Sequence, residues 1–251
     1  AGAQFLYAGY IEEGLDAMNK VMADIGETMP KSSKGALISL LWNRGKLKLR
    51  GRKWKERKEN EIQPTEMRRL DIYKVISVSM GTVDTVRGAD FQMRGLLLAL
   101  SSGDAKQIAP AMAREAIFVA SQGGRSLEKA KEWARAANEI AQNTHAPYCK
   151  GWGQGADASV SYFSGDFQTA ALQFEQAANT FLEKTTGNYF ESSTCRIYSL
   201  FSWGFYGKWR NFDERFEEYL RDARRRGDRY FEASLVRYGH HGYLAHGRPE
   251  F

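Results

Sequence analysis

The sequence predicts an all-α chain of consecutive helical hairpins, and three observations carry that expectation. No Asn-Gly or Asp-Gly hairpin turn and no sustained period-two alternation occurs. Successive segments of about 15 to 20 residues instead place apolar residues three and four apart. Short glycine turns (Gly123-Gly124, Gly165-Asp166, Gly207-Lys208 and Gly227-Asp228) separate most of them.

In chain order, Glu12–Ile25 carries Leu15, Met18, Val21, Met22 and Ile25 on one face, and Ser33–Arg50 carries Leu37, Leu40, Leu41 and Leu47. Pro64 suits the first turn of a helix through Met67, Leu70, Ile72 and Val75. Asp84 reads as the N-cap of a helix through Phe91 and Leu96–Leu100 that stops before Gly103. Further helices are expected at Ala105–Ser121, Ser126–Gln142, Ala146–Ser164, Phe167–Lys184, Phe190–Tyr206, Asn211–Arg226 and Arg229–His246.

The 251 residues are 43% hydrophobic and 13% aromatic with five prolines, which supplies core material and argues against disorder. The longest apolar run, Gly95–Leu100, is far below the roughly 20 residues of a membrane span. The N-terminal residues lack a signal-peptide pattern. Cys149 and Cys195, 46 residues apart, have no zinc or redox spacing. Buried thiols in a reducing cytoplasm are the simplest reading.

The net charge of +6 is local. Arg44–Lys58 holds nine of the 36 Lys/Arg and a single acid, Glu56, and the remainder of the chain nets −2. Arg50, Arg52, Lys53, Lys55, Arg57 and Lys58 form a candidate basic patch for nucleic acid, anionic lipid or an acidic protein surface. The plainer reading is a solvated helix end with Leu47, Leu49 and Trp54 turned inward.

Gly124, Gly165 and Gly207 are 41 and 42 residues apart, about one helical hairpin. Gly165-Asp166-Phe167, Ala170, Phe174 and Ala177 resemble the tetratricopeptide repeat (TPR), with weaker echoes after Gly9, Gly103 and Gly207. The period exceeds the usual 34, and the full first-helix pattern and closing proline are missing. The resemblance implies a degenerate TPR-like α-solenoid: one domain over residues 1–251, with less regular hairpins at 1–103 and clearer repeats at 104–251.

A second resemblance runs through Ser39-Leu40-Leu41, Leu47–Gly51, Ile62, Arg69-Leu70-Asp71, Val83-Asp84, Arg87–Gln92 and Leu96–Leu100. That order is similar to the helical region following the catalytic domain in large planctomycete- and myxobacterial-type serine/threonine kinases. It implies a non-catalytic regulatory or scaffolding module, a fragment of a longer protein. The implied partners are a protein or peptide, including the parent chain's own kinase domain.

The residues themselves offer no catalytic machinery. A kinase glycine-rich loop, His-Arg-Asp and Asp-Phe-Gly are missing. Gly151-Trp152-Gly153-Gln154-Gly155 lacks the flanking features of a phosphate loop and reads as close helix packing. His145, His240, His241 and His246 have no metal-ligand spacing, so no metal or cofactor is expected. Asp71, Asp84, Arg87 and Asp90, with Gln92 and Arg94, interrupt apolar helices and read as a polar network fixing the angle between hairpins.

In TPR-like arrays the first helix of each hairpin lines the concave face. Tyr148, Trp152, Tyr162, Arg196, Trp203, Arg237 and His240, together with Tyr198, form the expected partner groove, because aromatic and arginine side chains dominate interface energetics. The alternative function is nucleic-acid binding through Arg44–Lys58, with Trp54 available for stacking.

Overall fold

A computed structural model describes residues 2–7, 9–81, 83–245 and 247, and the His240 side chain and His246 lie outside the described residues. Among these residues the chain is all-α. Its helices are α1 (Gly2–Tyr7), α2 (Ile11–Asp24), α3 (Ser33–Arg50), α4 (Pro64–Gly81), α5 (Thr85–Ser102), α6 (Ala105–Ala120), α7 (Ser126–Thr144), α8 (Pro147–Phe163), α9 (Phe167–Lys184), α10 (Tyr189–Phe205), α11 (Trp209–Arg226) and α12 (Arg229–Ala245). A 3₁₀ turn, Glu59–Glu61, precedes α4.

Local chemistry sets these ends. Ser32 caps α3 by accepting from the Gly35 N–H, and Asp84 caps α5 by accepting from the Arg87 N–H. Asp166 caps α9 through the Thr169 N–H. Gly103 and Gly227 end α5 and α11 in the left-handed conformation, with φ of 76° and 66°.

Two compact units, Ala1–Glu115 and Ala116–Phe251, divide within α6. In the first, α4 packs on α5, α5 on α3, and α1 on α2 and α4. Leu6, Met18, Met22, Tyr73, Ile76, Met80 and Phe91 form its apolar centre.

The expected buried face of α3 needs correction. Ala36, Leu40, Asn43 and Leu47 are buried, whereas Leu37 and Leu41 are 46% and 60% exposed. The helix carries apolar residues on two sides, and α5 covers only one of them. Val21 and Val75, also assigned to inward faces, are exposed as well.

In the second unit each helix from α7 to α12 packs on the next, and α10 also meets α12. The short turns make neighbours antiparallel. One apolar cluster centres on Phe174, Phe181 and Ala177, and another on Phe212, Phe216, Trp203, Phe231 and Leu235.

The Gly151–Gly155 cluster lies on α8, where helices approach closely. A Cβ at Gly151 would stand 2.8 Å from the Phe181 ring, and one at Gly153 would collide with the Asn138 amide. Cys149 and Cys195 are both buried, and burial pushes the Cys195 thiol up to about 12.

Candidate functional site

The groove set divides between two faces of the second unit. Tyr162 on α8 meets Tyr198 on α10, with ring centroids 5.4 Å apart. Tyr198 meets Phe201 at 5.8 Å, and Phe201 meets Tyr238 on α12 at 4.8 Å. Phe205 extends the row one turn along α10 and lies 6.1 Å from Tyr162. The four linked rings are half-buried, Phe205 is 62% exposed, and Arg237 is exposed with its guanidinium 5.4 Å from the Tyr238 ring.

Tyr148 and Trp152, also half-buried, sit nearer the start of α8, edge-on to each other at 6.4 Å and both against Phe181. Burial, then the neighbouring Tyr198, pushes the Tyr162 hydroxyl up to about 12.

Arg196 and Trp203 do not join this row. At about 100° per residue they lie roughly 160° and 140° around α10 from Tyr198, on the helix's opposite side. Arg196 is buried, its Nη1 2.6 Å from the Asp222 carboxylate of α11, and its guanidinium stacks over Tyr219 at 4.8 Å. Burial works against ionisation of Asp222. Hydrogen bonds from Arg196 and Arg225 and the charge of Arg226 outweigh it, and hold the carboxyl below its ordinary value.

Trp203 donates its indole N–H to Glu175 Oε1 at 2.9 Å; Arg215 Nε donates to the same oxygen at 3.0 Å. Glu175 on α9 therefore ties α10 and α11 together. Its partners come from two other helices, so no spacing within its own helix announces it.

In the first unit Asp84 pairs with Arg87, and Asp90 pairs with Arg94 further along α5. Asp84 caps α5 and accepts from the Ser33 hydroxyl at 2.9 Å, and Arg87 donates to the Lys31 carbonyl at 3.0 Å. Asp90, fully buried, is 2.9 Å from Arg94 and accepts from the Asn43 amide at 3.3 Å. Arg94 also reaches Ser39 Oγ at 3.0 Å and Glu27 at 3.7 Å, which ties α3 and α5 to the segment after α2. Gln92 donates to the Ala111 carbonyl and accepts from Arg114. Asp71 is exposed on α4 and takes part in none of these contacts.

The basic segment is a helix end only as far as Arg50, the last residue of α3. Past Gly51, whose φ is 72°, residues 51–58 run without regular structure. Arg57 N–H donates to the Gly103 carbonyl at 2.9 Å, and Arg50 Nη2 to that of Leu100 at 2.8 Å, pinning the strap to the end of α5. Between these anchors Arg52, Lys53 and Lys55 are exposed, as is Lys58 just beyond. Leu47 is buried and Trp54 half-buried, but Leu49, expected to turn inward, is 92% exposed.

Sequence reasoning missed two features of this unit. An open cavity of about 380 Å³ is lined by Asn43, Lys46, Arg50, Arg69, Arg94 and Tyr73, with Glu27 among its walls. Beside it the outer face of α3 exposes Ile38 (70%), Leu41 (60%), Trp42 (68%) and Leu49 (92%). The 38–42–45–49 spacing was legible, but α3 carries apolar residues on both sides and only the packing shows which side is covered.

Among the described residues no group of three or more His, Cys, Asp or Glu could hold a metal ion, and no helix is long and apolar enough to cross a membrane. No known family model matches the chain, and neither does any curated protein.

Proposed function

We propose that the chain is a non-catalytic interaction module, a degenerate TPR-like array whose α8, α10 and α12 dock a peptide. The observation that carries this reading is the aromatic row Tyr162–Tyr198–Phe201–Tyr238, which links one face of three helices by ring contacts of 4.8 to 5.8 Å. Half-buried rings held by one another are rigid, so a ligand that stacks on them costs little side-chain ordering. Arg237 at the end of the row favours a peptide with a carboxylate beside its apolar residues.

The likeness to kinase-associated helical regions, carried by motifs between Ser39 and Leu100 and covering roughly residues 7–246, supports reading the module as an accessory segment of a bacterial serine/threonine kinase. Two buried thiols suit a cytoplasmic setting.

The test is selection of peptides from a random display library on the full chain, followed by affinity measurement on the variant Phe205→Ala/Arg237→Glu. Both side chains are exposed, so melting should hold. Selected peptides enriched in acidic and aromatic residues that lose about tenfold in affinity support the reading. Equal binding to the variant removes the row from the site.

A further inference from the structure

We infer that the first unit is a peripheral docking surface for an anionic lipid bilayer, with the outer face of α3 lying in the interface and the basic strap on the headgroups. Ile38, Trp42 and Leu49 follow one another at helical spacing along about 16 Å of α3, and Leu41 flanks them. All four are 60% exposed or more. Covering this face with water carries no structural return, because the opposite face of the helix already supplies the core residues Ala36, Leu40 and Leu47.

The charge around the stripe selects the occupant. Lys34, Lys46 and Lys48 rise from the same helix and are exposed, and Arg52, Lys53, Lys55 and Lys58 follow, exposed, in the strap. A second copy of the chain would bring the same cations against these and be repelled. A neutral apolar groove would leave them unused. An anionic bilayer offers both halves of the complement: an apolar interior for Ile, Leu and Trp, and phosphates for flexible Lys and Arg side chains reaching outward.

Lys46 joins the two parts. Its ammonium lies 5.6 Å from the Trp42 ring centroid, and its side chain lines the 380 Å³ cavity with Arg50, Arg69 and Arg94. A phosphate headgroup of a lipid touching Trp42 therefore lies next to a cationic recess.

The experiment is co-sedimentation of the full chain with phosphatidylcholine vesicles, alone or with about a third phosphatidylserine. It compares wild type with Ile38→Ser/Trp42→Ser/Leu49→Ser and with Arg52→Glu/Lys53→Glu/Lys55→Glu. Wild type should sediment with the anionic vesicles only, and each triple variant should bind at least about tenfold more weakly with unchanged helicity and melting. A blue shift of tryptophan emission on vesicle binding should disappear in Trp42→Phe.

Three results would each overturn the inference. One is failure of wild type to bind anionic vesicles at low salt. Another is a solution dimer that the apolar triple variant abolishes. The third is anionic-vesicle binding unaffected by the apolar variant alongside tight duplex-DNA binding, which would make the strap a nucleic-acid surface.

Discussion

Helices α3 and α10 carry apolar or aromatic residues on two sides, yet the molecule treats those sides differently. On α10 one side enters the core through Arg196, Leu200 and Trp203, with Arg196 paired to Asp222 and Trp203 to Glu175, and the other holds Tyr198, Phe201 and Phe205 in ring contact with neighbouring helices. On α3 one side packs on α5, while Ile38, Leu41, Trp42 and Leu49 stay 60% exposed or more. The difference teaches that apolar periodicity identifies a helix but not the number of its faces that are covered. Coverage is a property of the neighbours.

The sharpest break of this comparison falls on the covered side of α10. Asp222→Ala leaves the buried Arg196 without its carboxylate and should cost about 3 kcal/mol, measured by chemical denaturation. The pH dependence has a definite sign. The Asp222 carboxyl sits lower in the folded than in the unfolded chain, so its stabilisation is present above the ordinary carboxylate value of 3.8 and is lost as pH falls through the lower folded value. The variant should show a shallower loss of stability in acid than wild type.

Next in size is Gly103→Ala, in the unit that holds α3. A Cβ there meets both a φ of 76° and the Lys55 carbonyl oxygen, so the substitution should cost about 2 kcal/mol. It should also loosen the basic strap, read as faster tryptic cleavage between Arg52 and Lys58.

Asp157→Asn should act in the opposite direction. Burial raises the Asp157 carboxyl above its ordinary value, against the Asn138 hydrogen bond, which lowers it. The ionised form is therefore a liability that grows as pH rises through the interval between the unfolded and folded values. The variant should melt higher than wild type at neutral pH and show no advantage below that interval, by thermal scans at the two pH values. The smallest effect belongs to the bare side of α3: Leu49→Ser should leave stability within about 0.5 kcal/mol of wild type.

Much of the fold was legible in the residues, because helix ends are written in local chemistry. Ser33–Arg50 and Phe167–Lys184 match the expected bounds, and α5 is capped by the Asp84 carboxylate at one end and by the left-handed backbone of Gly103 at the other. Side-chain direction was less legible. Residue type groups Arg196 and Trp203 with Tyr198, although their angular positions on α10 place them opposite it. Apolar spacing alone sends Leu37 and Leu41 to the core, because α3 offers two apolar faces and only the packing of α5 decides between them. Glu175 was beyond reach of local reading, since its role is defined by Trp203 and Arg215 on two other helices.

The most direct measurement compares Phe205→Ala with Arg196→Ala, seven and two residues from Tyr198 on the same helix, against one display-selected peptide. Phe205→Ala should weaken the peptide about tenfold and leave melting unchanged, whereas Arg196→Ala should lower melting and leave the affinity of the folded chain intact. The reverse pattern, with affinity following Arg196 and indifferent to Phe205, would contradict an aromatic docking face on α8, α10 and α12.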